Sequence, residues 1–243
     1  PSPASPDPLL DLSDYLQTLT LTLTPSEASE ILKSLGSSKI SLEFFRFCSS
    51  LPGFKHDCFT YNRILWILSK SGAEIEVIMR IVDEMERDGV RGNISTVNLL
   101  IGIVGAREME KCLELAKRWD LRFNGYTYKC LLQAYLRCRD VEKAVRVYEE
   151  MRRRGYKLDI FAYNMLLDAL AKANKVDEAY KVLADMKRKF CEPDAFTYTI
   201  LIRMSGKTGK TDEVLSFFEE MIRKGHYPNM IAYNTMIEAL AKN

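Results

Sequence analysis

The sequence predicts an all-α fold, an α-solenoid of stacked helix-turn-helix repeats, on three observations. The phrase AYNMLLDALAK at residues 162–172 returns as TYTILIRMSGK at 197–207 and as AYNTMIEALAK at 232–242, each 35 residues after the last. A fixed period of this length marks units that stack on their neighbours. Within a unit, apolar residues recur at helical spacing on two successive segments: Tyr163, Leu166, Leu167 and Leu170 on the first, Val176, Ala179, Tyr180, Leu183 and Met186 on the second. Each unit then closes on a turn, KFCEPD or KGHYPN, whose Pro193 or Pro228 cannot continue a helix. One such hairpin cannot bury both its apolar stripes, so stacked neighbours must supply the core.

Taken in order, residues 1–22 read as a flexible lead-in: a Pro/Ser tail, then a Leu/Thr alternation with the period of a strand but no second strand pattern to pair with, hence an extended segment. Residues 23–57 carry a helix pair at 25–35 and 39–50 without the Tyr-Asn phrase, expected to be a cap over the first apolar face, or else a degenerate repeat. Aligning on the aromatic of the phrase puts Tyr61, Val97, Tyr128, Tyr163, Tyr198 and Tyr233 at equivalent positions, spaced by 36, 31, 35, 35 and 35 residues. That sets repeats at 58–93, 94–124 (short), 125–159, 160–194 and 195–229, and the first helix of another at 230–243. Asn174 and Gly206 are expected to break the helices of their pairs. Asp177, Glu178, Asp212 and Glu213 open second helices, and Lys187, Arg188, Lys189, Arg223 and Lys224 end them, as the macrodipole favours. Stopping after a first helix leaves an apolar face uncovered, so the sequence reads as a fragment of a longer solenoid or as a chain whose end a partner covers.

Composition narrows the function. A content of 47% hydrophobic residues among 243 is enough to bury a large core. The net charge of +2 gives no strong global field, so a nucleic-acid partner must be held by locally arranged cations. Cys48, Cys58, Cys112, Cys130, Cys138 and Cys191 show no CxxC or CxxxC spacing, and only His56 and His226 could join them. A zinc site needs clustered ligands, so the cysteines read as buried reduced thiols of a reducing compartment, with no metal and no cofactor. LLIGIVGA, the longest apolar candidate, falls well short of the roughly 20 residues of a membrane span, so no membrane is expected. The start at Pro1, without methionine or an Arg-rich leader, reads as the loss of a targeting segment.

The first helices carry more than a core stripe. With the tyrosine as position 4, position 2 holds Phe59, Ser95, Tyr126, Phe161, Phe196 and Ile231. Position 5 holds Asn62, Asn98, Lys129, Asn164, Thr199 and Asn234. Position 13 holds Lys70, Ala106 with Arg107 beside it, Arg137, Lys172, Lys207 and Lys242. These offsets stay near one helical face, so stacking draws three parallel stripes, one aromatic or apolar, one small and polar, one cationic. Single-stranded nucleic acid asks for that combination: faces that stack on bases, amides or hydroxyls that reach base edges, and cations at the phosphates. A protein groove would not need all three in register. For the position 2 aromatics, packing between repeats is an equal alternative; for the lysines, the alternative is a solvated helix C-terminus. Packing does not account for four asparagines at one offset, since asparagine is a poor interior helix former.

The period, the phrase xxTYNxLIxxLxK and the closing PD or PN resemble pentatricopeptide repeat proteins of the plant organelle type, strongly over residues 58–243 and weakly over 23–57. Tetratricopeptide repeats share the hairpin, but their 34-residue period and W-x2-L-G-x2-Y cue are absent. The resemblance implies a right-handed superhelix, an organellar location (mitochondrion, with chloroplast as the alternative) and single-stranded RNA as partner. It also implies that position 5 and the last residue of the same repeat select one base, that position 2 side chains sandwich it, and that RNA runs 5′ to 3′ from N- to C-terminus. Asn62 with Asn93 and Asn98 with Asn124 would then prefer a pyrimidine, Asn164 with Asp194 U, and Thr199 with Asn229 A. Lys129 with Asp159 departs from the pattern, because lysine lacks an acceptor, and Asn234 has no partner within the sequence.

No enzyme is expected. SGKTGKT at 205–211 imitates a phosphate-binding loop, but Met204 stands where that motif needs glycine, and the setting is a turn between helices. The reading is therefore a monomeric RNA-binding module for organellar RNA processing, alone or with other processing proteins; a protein-interaction scaffold in an organellar ribosome or processing complex is the alternative.

Overall fold

The computed structural model describes residues 23–241, so the lead-in at 1–22 and Lys242 lie outside the described residues. Among these residues it contains thirteen α-helices and no strand. The helices are α1 (Pro25–Ser34), α2 (Ser38–Ser50), α3 (Cys58–Lys70), α4 (Ile75–Arg87), α5 (Ile94–Ile103), α6 (Ala106–Arg118), α7 (Gly125–Arg137), α8 (Val141–Arg153), α9 (Ile160–Lys172), α10 (Val176–Arg188), α11 (Ala195–Lys207), α12 (Thr211–Arg223) and α13 (Met230–Ala241).

One device starts every first helix from α3 onward. Asp57, Asn93, Asn124, Asp159, Asp194 and Asn229 each accept a hydrogen bond from the backbone N–H three residues on, at 2.8–3.1 Å. Such a cap satisfies a donor the helix leaves unpaired and stabilises it by about 1 kcal/mol. The last residue of one repeat is thus the N-cap of the next.

The chain forms two compact units. The first comprises residues up to Ile103 together with Cys112–Leu121. Here α3 packs against α1 and α5, with α2 and α4 also seated on it. Tyr61, Ile64, Leu65 and Leu68 of α3 are all buried. His56 stacks on Phe45 and hydrogen-bonds its carbonyl, and burial holds the imidazole below its ordinary pKa. Gly92 leaves room for the Trp119 ring, which would lie 2.2 Å from an added Cβ.

The second unit comprises Val104–Lys111 and the residues from Arg122 onward. The first helices α7, α9, α11 and α13 pack in succession, backed by α8, α10 and α12. Tyr163 and Tyr198 are buried, and the Tyr163 and Tyr148 hydroxyls donate to Asp185 Oδ2 at 3.1 and 3.0 Å.

Three expectations need correction. Gly206 does not break its pair: it lies inside α11, buried against Ala239 of α13, and the turn is made by Gly209 in the left-handed region (φ 72°). Asn174 does sit in such a turn, at φ 58°. Only Cys48 and Cys112 are fully buried, the other four cysteines being partly exposed, although none forms a disulfide. Finally, α5 stops after ten residues, with Gly102 and Gly105 around its end, where the other first helices from α3 through α11 run for thirteen. Position 13 of that repeat therefore falls at the start of α6, so Arg107 is in the first turn of a second helix and not at the end of a first.

Candidate nucleic-acid interface

Position 2 and position 4 are two residues apart and face opposite environments. Phe59, Tyr126, Phe161, Phe196 and Ile231 are 58–68% exposed, and Ser95 is exposed as well, whereas Tyr61, Val97, Tyr163 and Tyr198 are at most 1% exposed. Packing between repeats therefore belongs to position 4 at these four repeats, whereas Tyr128 is half-buried and Tyr233 of α13 is 46% exposed. Large apolar side chains left in water at one recurring helix position are a row of unused contact surface.

Beside that row, position 5 meets the N-cap of the following helix. In the first unit Asn62 Nδ2 donates to Asn93 Oδ1 at 3.3 Å. In the second, Asn164 Nδ2 donates to Asp194 Oδ1 at 3.1 Å, and Lys129 forms an ion pair with Asp159. Burial alone would raise the Asp194 carboxyl, but the bonds from Thr197 and Asn164 outweigh it and hold the group below the usual carboxylate range. The Lys129 ammonium lowers Asp159 in the same direction.

Thr199 and Asn229 differ. The Thr199 hydroxyl donates to its own helix, at the Ala195 carbonyl (2.8 Å), and among the described residues no hydrogen bond joins it to Asn229. The two nevertheless line one pocket of about 420 Å³, together with Phe196, Ile231, Arg203 and His226. Asn98 lies in the first unit with its Oδ1 buried and without a hydrogen-bond partner among the described residues, and Asn124 caps α7 in the second. Asn234 is exposed on α13.

The cations end the first helices. Lys70, Arg137, Lys172 and Lys207 are exposed at the last residue of α3, α7, α9 and α11. Arg137 and Lys172 line a cleft of about 550 Å³ with Arg139 and Asp168. Lys172 is not a bare charge, because Asp168 holds it at 2.6 Å and is itself paired with Arg203. The Arg107 side chain and Lys242 lie outside the described residues.

Sequence reasoning missed two features. Arg203 reaches the pocket because it follows Phe196 and Thr199 on one face of α11, a spacing visible in the sequence. Thr96 and Thr197, at position 3, donate to the position 5 amide of the repeat before, at 2.6 Å each. The recurrence of threonine at 60, 96, 127 and 197 was the available signal.

The profile of the PPR repeat family matches residues 124–172, 158–205 and 202–242, and that of the pentatricopeptide repeat domain matches 50–107, together more than half of the chain. The chain belongs to the pentatricopeptide repeat family. This pentatricopeptide repeat chain is 54% identical over 145 residues to "Pentatricopeptide repeat-containing protein At1g51965, mitochondrial" of Arabidopsis thaliana, a match covering 58% of the chain and 22% of the relative. A second Arabidopsis thaliana pentatricopeptide repeat-containing protein, At1g55630, is 28% identical over 127 residues, covering 51% of the chain and 26% of that protein. The chain thus spans about a quarter or less of these relatives. Among solved structures, maize PPR10 in complex with an 18-nt psaJ RNA element superposes at a TM-score of 0.57 with 24% identity, over 90% of this chain and 36% of that one. The PPR domain of Arabidopsis thaliana protein-only RNase P 1 in complex with tRNA gives 0.63 with 19% identity, over 73% and 95%. These likenesses place the fold among all-α helical repeat solenoids.

Proposed function

We propose that this pentatricopeptide repeat chain is a sequence-specific single-stranded RNA-binding module, one base per repeat, acting in organellar RNA processing. The observation that carries the reading is the pocket between α11 and α13. Phe196 and Ile231, position 2 of successive repeats, flank it, while Thr199 and Asn229, position 5 and the last residue, line it. Its volume of about 420 Å³ is ample for one base, and its apolar walls with polar side chains are what a stacked, edge-read base requires. The polar pairs Asn62–Asn93, Lys129–Asp159 and Asn164–Asp194 repeat the arrangement. The RNA bound by maize PPR10 and the tRNA bound by the Arabidopsis PPR domain support RNA as the ligand class, and the mitochondrial name of the 54% identical relative supports that organelle. The repeats are read as binding machinery that holds a strand open or marks a site during splicing, maturation or stabilisation.

The test is fluorescence anisotropy of short RNAs with CUNUA and UUNUA cores against scrambled RNA and DNA, at two salt concentrations. Preference for these cores over both controls, with affinity falling as salt rises, is expected. Binding that is absent, or equal for every sequence, would overturn the reading in favour of a protein-interaction scaffold.

A further inference from the structure

A carboxamide reads a base edge only if its two ends are told apart. Asn164 Nδ2 donates to the Asp194 carboxylate, and Asn164 Oδ1 accepts the Thr197 hydroxyl at 2.6 Å. The hydroxyl can only be the donor there. Its own oxygen already receives the Asp194 backbone N–H at 3.2 Å, and the amide oxygen has no hydrogen to give; the one hydroxyl hydrogen has a second acceptor in Asp194 Oδ1 at 2.9 Å, and the amide oxygen is the nearer of the two. The first unit repeats the geometry: Thr96 Oγ1 donates to Asn62 Oδ1 at 2.6 Å, takes the Asn93 N–H at 3.0 Å, and Asn62 Nδ2 points at Asn93 Oδ1. Both threonines are fully buried.

The donor is seen at two repeats. Threonine stands at 96 and 197, following repeats whose position 5 is Asn62 and Asn164; it also stands at 127, after Asn98, whose Oδ1 has no hydrogen-bond partner among the described residues. Alanine stands at 162 and 232, following Lys129, which has no acceptor, and Thr199, whose hydroxyl is turned to its own helix. After Asn62 and Asn164 the third-position hydroxyl accompanies the amide, and alanine replaces it after Lys129 and Thr199; Thr60, which follows the pair at 23–57 that lacks the phrase, bonds Asp57 of its own cap instead.

Building on the RNA reading above, we propose that Thr96 and Thr197 are specificity-positioning residues: each fixes the amide of the preceding repeat so that it offers its remaining N–H and its remaining lone pair in one order. The consequence is chemical. On a base held in one orientation, uracil presents O4 as acceptor beside N3–H as donor, whereas cytosine presents N3 as acceptor beside N4–H, the reverse order about the same edge. An amide free to turn over serves both equally. A pinned one serves a single order, so at the Asn164 repeat, where the carboxylate of Asp194 holds the other end of the amide, the hydroxyl strengthens the choice of U over C.

The test compares the wild-type chain with Thr197→Val and Thr197→Ser, measuring Kd for RNAs that carry U or C opposite the Asn164 repeat, with the thermal midpoint of each variant as a control. Loss of one positioning hydrogen bond should cut the U-over-C ratio by about fivefold in Thr197→Val, with Thr197→Ser close to wild type. Independently of RNA, the Asn164 side-chain amide protons, followed by NMR in the free chain, should exchange faster in Thr197→Val. A gain-of-function pair guards against a folding defect: Lys129→Asn with Ala162→Thr should discriminate U from C opposite that repeat better than Lys129→Asn alone. An unchanged U-over-C ratio and unchanged amide exchange in Thr197→Val overturn the proposal while leaving RNA binding intact. Absence of any base preference in the wild type overturns the proposal together with the reading beneath it.

Discussion

Phe161 and Tyr163 stand two residues apart on α9, and replacing each by alanine separates binding surface from core. Tyr163 is fully buried and its hydroxyl holds Asp185, so Tyr163→Ala leaves a large cavity and removes a partner from a buried carboxylate, at a cost of about 3–5 kcal/mol of stability. Phe161 is 60% exposed, so less than half of its burial gain is at stake, about 1 kcal/mol. Its loss should instead appear in RNA affinity, where an aromatic stacked on a base contributes about 1–3 kcal/mol, or roughly 5- to 150-fold in Kd. Urea unfolding followed by circular dichroism measures the first quantity, and anisotropy with a labelled CUNUA-core RNA the second. If Phe161→Ala unfolds as readily as Tyr163→Ala, or binds RNA as tightly as the wild type, position 2 is not a stacking surface and the division of the first helix into two faces fails.

Other outcomes follow from single features. Gly206→Ala should lower the urea midpoint and speed proteolysis of α13, because the new Cβ would lie 2.1 Å from the Ala239 Cβ, and overpacking of about 1–3 kcal/mol outweighs the helix-propensity gain of about 1 kcal/mol; adding Ala239→Gly should recover only part of the loss, since the Ala239 Cα would still lie 2.9 Å from the new Cβ. Asp185 is buried, which alone would raise its carboxyl, but Arg188 and the Tyr148 and Tyr163 hydroxyls hold it below the usual range. A depressed folded-state pKa gives stability that is present above the unfolded value of about 3.9 and lost as pH falls through the folded one; the thermal midpoint should therefore change little through this group between pH 7 and 5 and fall in more acid solution, less steeply in Asp185→Asn. The Cys48 thiol, pushed up to about 12 by burial, should resist alkylation at pH 8 in the native chain while the partly exposed Cys58 and Cys138 react; equal rates would place Cys48 at the surface.

The fold was legible because the period is a packing repeat: the leucines of α9 and the Pro193 turn define a hairpin without any neighbour in view. The site was legible only in part. Two stripes of large side chains, positions 2 and 4, are chemically alike in sequence, and only the stacking of α9 on α11 decides that Tyr163 is enclosed and Phe161 is not. The resemblance assigned Asp194 only as a base-selecting last residue, but it has two tasks, capping α11 and holding Asn164, and the second depends on a contact between helices. Thr197 escaped notice for the same reason, since its partner lies 33 residues away in the preceding repeat. Gly206 misled because glycine breaks helices on average, whereas here its missing side chain lets α13 approach.

The central claim is that position 5 and the last residue of each repeat choose one base, and exchanging one pair tests it directly. The double variant Asn164→Thr with Asp194→Asn keeps an N-cap on α11 and copies the pair found at Thr199 and Asn229. Anisotropy with RNAs that differ only at the nucleotide opposite that repeat should show the preference moving from U to A, with other positions unchanged. A preference that stays with U, or a loss of affinity equal for all four bases, would contradict the account.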